Sequence, residues 1–151
     1  MSAGPFAVFQ FTPIPSPRFP PSEMNVLGEA FQDRDLSTSA DFLFDHYSTY
    51  IAPMMMPFQD RRNPWKLFYP LMARSGKSCG QRSLLHAMLA QAAGHLAHMG
   101  CQEKVMSALT LKHYASAITE LRKALSGSID FCVVMASILT LIMAEASSPR
   151  K

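Results

Sequence analysis

Cysteine is scarce in this chain: Cys79, Cys101 and Cys132 are the only three among 151 residues. An odd number at wide spacing excludes a disulfide framework, and no two thiols are close enough to form half of a zinc knuckle. The chain therefore reads as a reduced, intracellular protein. Long apolar runs are also missing. The greasiest stretch, Phe131 to Ala144, is closed by Asp130 and Glu145 and falls short of the roughly 20 residues that a bilayer needs. It reads as a buried core helix and not as a membrane span. The opening Met1-Ser2-Ala3-Gly4-Pro5 lacks the basic region of a signal peptide. Charge is modest, at 17% with a formal net of +3.

What is present describes one globular domain with a proline-rich lead. Hydrophobic residues make up 48% of the chain, and eleven prolines and eleven methionines are both high for its length. Six of the prolines, Pro5, Pro13, Pro15, Pro17, Pro20 and Pro21, crowd into residues 1–38, where neither helical nor strand periodicity is sustained. That segment reads as a disordered lead, extended around its prolines. Phe6, Phe9, Phe11 and Phe19 within it are candidates to dock on a partner or back on the domain. Residues 39–151 form the folded part. Their positive excess comes mainly from Arg61, Arg62, Lys66, Arg74, Lys77 and Arg82, a solvated segment able to touch nucleic acid only non-specifically and with steep salt dependence.

From Ser39 onward the periodicity is helical, and the expected class is all-α: antiparallel helix pairs forming part of a larger helical domain. Ser39 is the expected cap of a first helix carrying Leu43, Tyr47 and Tyr50, which Pro53 and Pro57 close. Asn63-Pro64 starts a short helix through Trp65, Leu67, Phe68 and Leu71, kinked by Pro70. Arg74 to Arg82 reads as loop. A third helix over residues 83–99 places Leu85, Leu89, Ala92, Leu96 and Met99 on one seam and ends at Gly100. A fourth, near residues 103–125, turns Leu111, Tyr114, Ile118, Leu121 and Leu125 inward and Lys112, Ser116, Thr119 and Lys123 outward. The fifth, about residues 129–146, is apolar on nearly every side. Its small-residue stripe of Val133, Ser137, Thr140 and Ala144 suits close helix approach, and such a helix belongs in the middle of an assembly. No strand and no repeat of solenoid length is read.

Motifs for chemistry fail on spacing. Ser75-Gly76-Lys77-Ser78 resembles the end of a phosphate loop, but Leu71 occupies the place of the first glycine and a helix precedes it where a strand is required. His86, His95 and His98 share one helix, on the face carrying Gln91, without a carboxylate at ligand spacing, and read as solvated. His113 reads as a hydrogen-bonded edge residue, and Asp45-His46 has no nucleophile to serve. Met54-Met55-Met56 reads as gap filling, and Cys132 as a small core residue. No catalytic, cofactor-binding or metal-binding residue is nominated, no cofactor is expected, and the chain is not expected to be an enzyme.

The order of the segments is more telling than any motif. Phe42-Leu43-Phe44-Asp45-His46-Tyr47, Asn63-Pro64-Trp65, Leu84 to Ala90 running to His95-Leu96, His113 to Ile118, and a final apolar helix together resemble the fungal-specific transcription factor domain. The resemblance covers about residues 39–146. It implies an α-helical regulatory region, nuclear, serving transcription by RNA polymerase II. Partners would be a second copy or other regulators, met through the helix faces Leu85–Met99, Leu111–Leu125 and Phe131–Met143. The family's zinc binuclear cluster uses six cysteines in two close-set triads, so the resemblance carries over no sequence-specific DNA binding by this chain. Family members usually continue past the helix ending near Ala146, so the chain is expected to be the first part of such a domain. Arg74 to Gln81 reads as an insertion, as though the frame retained intronic codons. The alternative is a stand-alone helical module, oligomeric or ligand-binding, with no transcriptional role.

Overall fold

The computed structural model describes residues 36–56 and 60–146, and among them every regular element is a helix. The proline-rich lead before Leu36, with Phe6, Phe9, Phe11 and Phe19, and Pro57 lie outside the described residues. Helix α1 (Leu36–His46) runs into one π turn (Tyr47–Ile51) and on into the short α2 (Ala52–Met55). A 3-10 turn (Asp60–Arg62) then leads to α3 (Pro64–Leu67), α4 (Tyr69–Ser75), α5 (Cys79–His98), α6 (Glu103–Leu125) and α7 (Phe131–Ala146).

The helix boundaries follow local chemistry, with three corrections to the sequence reading. Because α1 begins at Leu36, Ser39 lies inside it and is buried; it is not the cap. Pro53 does not close the helix either. The amide of Ala52 reaches back to the carbonyl of Tyr47, a wider turn than the α-helical one. The chain thereby passes the proline ring and its missing N–H without ending. Asn63 is the cap expected of it: its Oδ1 accepts from the Trp65 amide at 2.9 Å. It also does more than cap. Fully buried, it donates Nδ2 to the Ala52 carbonyl at 2.8 Å, tying α2 to α3. The kink expected at Pro70 falls at Phe68, between α3 and α4, so that Pro70 takes an early position of α4 where no amide is needed.

The expected loop at Arg74–Arg82 is helix at both ends. Gly76, at φ +57°, ends α4 in the left-handed conformation that favours glycine. Two residues later Ser78 opens α5 with a capping box: its hydroxyl accepts from the Gln81 backbone amide, and the Gln81 side-chain Oε1 accepts from the Ser78 backbone amide. The stretch read as loop is therefore the end of α4, a three-residue turn and the first turn of α5. At the other end Gly100, at φ +80°, closes α5 as expected. The Cys101 amide bonds to the Leu96 carbonyl and the Gly100 amide to that of Ala97, the paired bonds of a Schellman motif.

The centre of the molecule is α5. Thirteen of its twenty residues are buried, Leu84, Ala87, Met88, Ala92 and Ala93 among them, and it packs against α1, α4, α6 and α7. Partners on α6 fall in number as those on α5 rise: Arg82 meets Glu120, Ser83 the Ala117 carbonyl, His86 His113, and Gly94 lies beside Thr110. The pair is antiparallel. The stripe Val133, Ser137, Thr140 and Ala144 is buried as expected, and Ser137 reaches the Gly80 carbonyl at 3.4 Å.

Two phase readings are corrected. On α6 the inward residues are Met106, His113, Ala117, Leu121 and Ala124, whereas Leu111 and Leu125 are exposed. Where two helices approach closely, the small side chain occupies the line of contact and the larger one is turned aside. The helix in the middle is also not α7 but α5, because α5 carries the alanines and glycines that allow neighbours on several sides.

Candidate functional site

Two features stand apart from ordinary core packing: a pair of cross-helix histidine contacts on α5, and the outer face of α7. His46 Nε2 lies 3.0 Å from His95 Nδ1, joining α1 to α5. His86 Nδ1 lies 3.1 Å from His113 Nδ1, joining α5 to α6, with the rings stacked at 5.3 Å. Each contact needs one imidazole N–H and one lone pair, so neither pair tolerates two full positive charges. Burial pushes all four below the usual histidine value. His46 falls to about 4, with His95 adding to the shift and Asp45 opposing it. His113 also falls to about 4, helped by His86 and Lys112. His86 is lowered by burial against the pull of Glu120, and His95 by burial and by His98.

This corrects the reading of α5's histidines. His86 and His95 are paired across helices, and only His98 is exposed. Gln91 is buried and lies 3.9 Å from the Met55 sulfur, so its face points inward. His113 is hydrogen-bonded as expected, but it is buried in the contact between α5 and α6 and not at its edge. Among the described residues no three histidine, cysteine or carboxylate side chains gather as a metal would require. Met55 and Met56 pack against the core while Met54 is exposed. Cys132, expected in the core, is exposed at the start of α7.

The basic segment is divided up by the fold. Arg74 pairs with Asp41 at 2.8 Å and lies over the Phe44 ring. Arg82 bonds Glu120 at 2.9 Å, the Cys79 sulfur and the Gly76 carbonyl. Lys123 also holds Glu120 at 2.7 Å, and this bond is the main reason the carboxyl sits below its usual range. Beside this cluster is a shallow cavity of about 140 Å³, bounded by Ser78, Gly80, Lys123, Asp130 and Val134. It has none of the strand-loop-helix geometry that cradles phosphates, and its lysine is already engaged.

The outer face of α7 is the largest anomaly. Phe131 is 73% exposed, Met135 52%, Leu139 45% and Ile142 56%. They recur along the helix on the side opposite Val133, Ser137, Thr140 and Ala144. Soluble proteins seldom leave so continuous an apolar stripe in water unless something binds it. The sequence reading anticipated this uncovered helix but missed the histidine pairs. For His86 and His113 a signal existed: a short connection between two long helices fixes an antiparallel register, and these two positions face each other in it.

Among the described residues no helix is long and apolar enough to cross a membrane. A model of the fungal specific transcription factor domain matches residues 42–151. No curated protein and no solved structure matches the chain.

Proposed function

Given that the chain belongs to the fungal-specific transcription factor domain family, we propose that it is a non-enzymatic nuclear regulator of RNA polymerase II transcription acting through helix-mediated protein contacts. The observation that carries this reading is the apolar outer face of α7, from Phe131 to Ile142, which stands in solvent along the length of a well-packed helix. A face of that kind serves recognition, and α5 and α6 behind it supply a rigid support. In this reading the domain contributes no sequence-specific DNA contact of its own. Promoter choice comes from whatever DNA-binding module it is joined to or meets, and the basic residues between Asp60 and Arg82 add at most a salt-sensitive attraction.

The test is a tethering assay: the full chain fused to an unrelated DNA-binding module, with a reporter behind the matching operator in a fungal host. A change in reporter output is expected, and Leu139→Glu, a surface substitution on the outer face, should abolish it at equal nuclear protein level. A chain that leaves the reporter unchanged favours the other reading, a helical module that oligomerises or binds a ligand through the same face without a transcriptional role.

A further inference from the structure

A second apolar patch, separate from the outer face of α7, lies on α3 and α4, and we propose that residues 22–35, the last stretch of the lead, dock on it. Leu67, Phe68 and Leu71 are each more than half exposed. Leu71 follows the other two by four and three positions. Across the junction the Phe68 amide still bonds the Pro64 carbonyl, and the Met72 amide bonds the Phe68 carbonyl. The three side chains therefore share one side of a nearly continuous helix. Unlike the face of α7, this patch has charge at its border. Arg61 and Arg62, exposed in the turn just before α3, and Lys66 on α3 gather at one end of it. A segment that covers the patch has to be apolar and acidic together.

Composition and reach both name residues 22–35 as that segment. It carries Glu23, Glu29, Asp33 and Asp35 against the single base Arg34, with Leu27 and Phe31 among them. The other terminal stretch outside the described residues, 147–151, carries Arg150 and Lys151 and no acid, so its charge has the wrong sign. The segment runs into α1 at Leu36, and on α1 the Asp41 carboxylate holds Arg74 at the end of α4. Leu36 is five helical rises from Asp41, and Leu71 is about one turn from Arg74. With the two side chains between them, the start of α1 lies within about 25 Å of Leu71. Arg62 is about 14 Å farther along the helix. The segment, fully extended, spans about 46 Å, enough to cross the patch from Leu71 to Arg62. So short a tether holds it at a local concentration in the millimolar range, and even a weak contact then stays formed. The face of α7 offers these acids no cation and is bounded by Asp130 and Glu145.

The experiment uses the full chain, with Leu71 replaced by the photo-crosslinking residue p-benzoylphenylalanine. After irradiation at low salt, the species of single-chain mass is digested and its crosslinked peptides are identified by mass spectrometry. They are expected to come from residues 22–35. An Arg61→Glu, Arg62→Glu double variant should lower the yield on the order of tenfold, and so should raising the salt to about 0.5 M, where charges a few ångströms apart are already screened. Adding Glu29→Arg and Asp33→Arg to the double variant should restore most of the yield, because the charges are then exchanged and still opposite. Circular dichroism of each variant separates a lost contact from a lost fold, and the salt dependence of the parent chain needs no variant at Arg61 or Arg62. Crosslinks confined to a second copy or to other parts of the chain would overturn the proposal. A yield indifferent to salt and to charge reversal would do the same, as would a loss that exchanged charges fail to restore. The contact requires no transcriptional role, so a silent reporter in the tethering assay leaves it standing, and its failure leaves the regulator reading standing.

Discussion

Helices α5 and α7 lie against each other, and their fates run opposite to their compositions. The more apolar of the two, α7, leaves Phe131, Met135, Leu139 and Ile142 in water. The less apolar, α5, with its glycines, serine, glutamine and histidines, is buried on nearly every side. Hydropathy alone would have exchanged them. What decides for α5 is reach: a helix lined with alanine and glycine admits neighbours close on several faces. Burial here follows from how many helices can come near, and affinity for oil is secondary.

Acid should produce the largest break in this contrast, because it acts on both seams of α5 at once. His46 and His113 have folded values near 4 against an ordinary 6.5, so the unfolded chain takes up protons first as the pH falls. Stability is therefore full above about pH 6.5 and is lost progressively toward pH 4. The loss is on the order of 2 kcal/mol for each pair. The groups that modulate it are Asp45 and His98 around the first pair and Glu120, Lys112 and Arg82 around the second. Denaturant titrations at several pH values check this, and a His86→Gln, His113→Gln double variant should flatten about half of the slope.

Cavity formation comes next. Leu84→Ala, at a fully buried position of α5, should cost about 3 kcal/mol, read as a shift in the denaturation midpoint. Gly80 is where the two helices touch. A Cβ built there would stand 3.4 Å from Val133 Cγ1, so Gly80→Ala should be close to neutral in the same titration. Gly80→Leu should push α7 outward and cost about 2 kcal/mol. The smallest effect sharpens the contrast from the other side: Ile142→Gln on the outer face should change the stability of the dilute chain by less than about 0.5 kcal/mol. A large loss there would mean that this face is packed within a single copy.

Two helix ends were legible in the sequence, because they are punctuated by residues with local chemistry. Asn63-Pro64 and Gly100 act where they stand, through bonds to amides a few positions away. Ser78 and Gln81 carry an equally local signal, hidden by the two glycines beside them, which suggest a loop. Rotational phase was harder to read. Leu111 and Leu125 look inward by type, yet Ala117 and Ala124 hold the contact line of α6, a choice made by the distance to α5 and not by either helix alone. The His46–His95 pair was out of reach for a related reason. It depends on where α1 lands on α5, and the turn that carries the chain past Pro53 alters the local helical count.

That turn has a consequence for how this stretch of chain can change over generations. A π turn is an α-helix carrying one residue more than its ladder needs, held here between Tyr47 and Ile51. Deleting one residue between Tyr47 and Ala52 restores the ordinary count without turning the helix that follows: the Ala52 amide, which reaches the Tyr47 carbonyl from five positions on, then reaches it from four. The Ala52 carbonyl stays before the Asn63 side chain that holds it. What changes is the surroundings of Pro53, whose ring then meets the tighter ladder of an ordinary helix. The spare residue is thus room for the proline, and a lost codon here is felt at Pro53 and not along the rest of the chain.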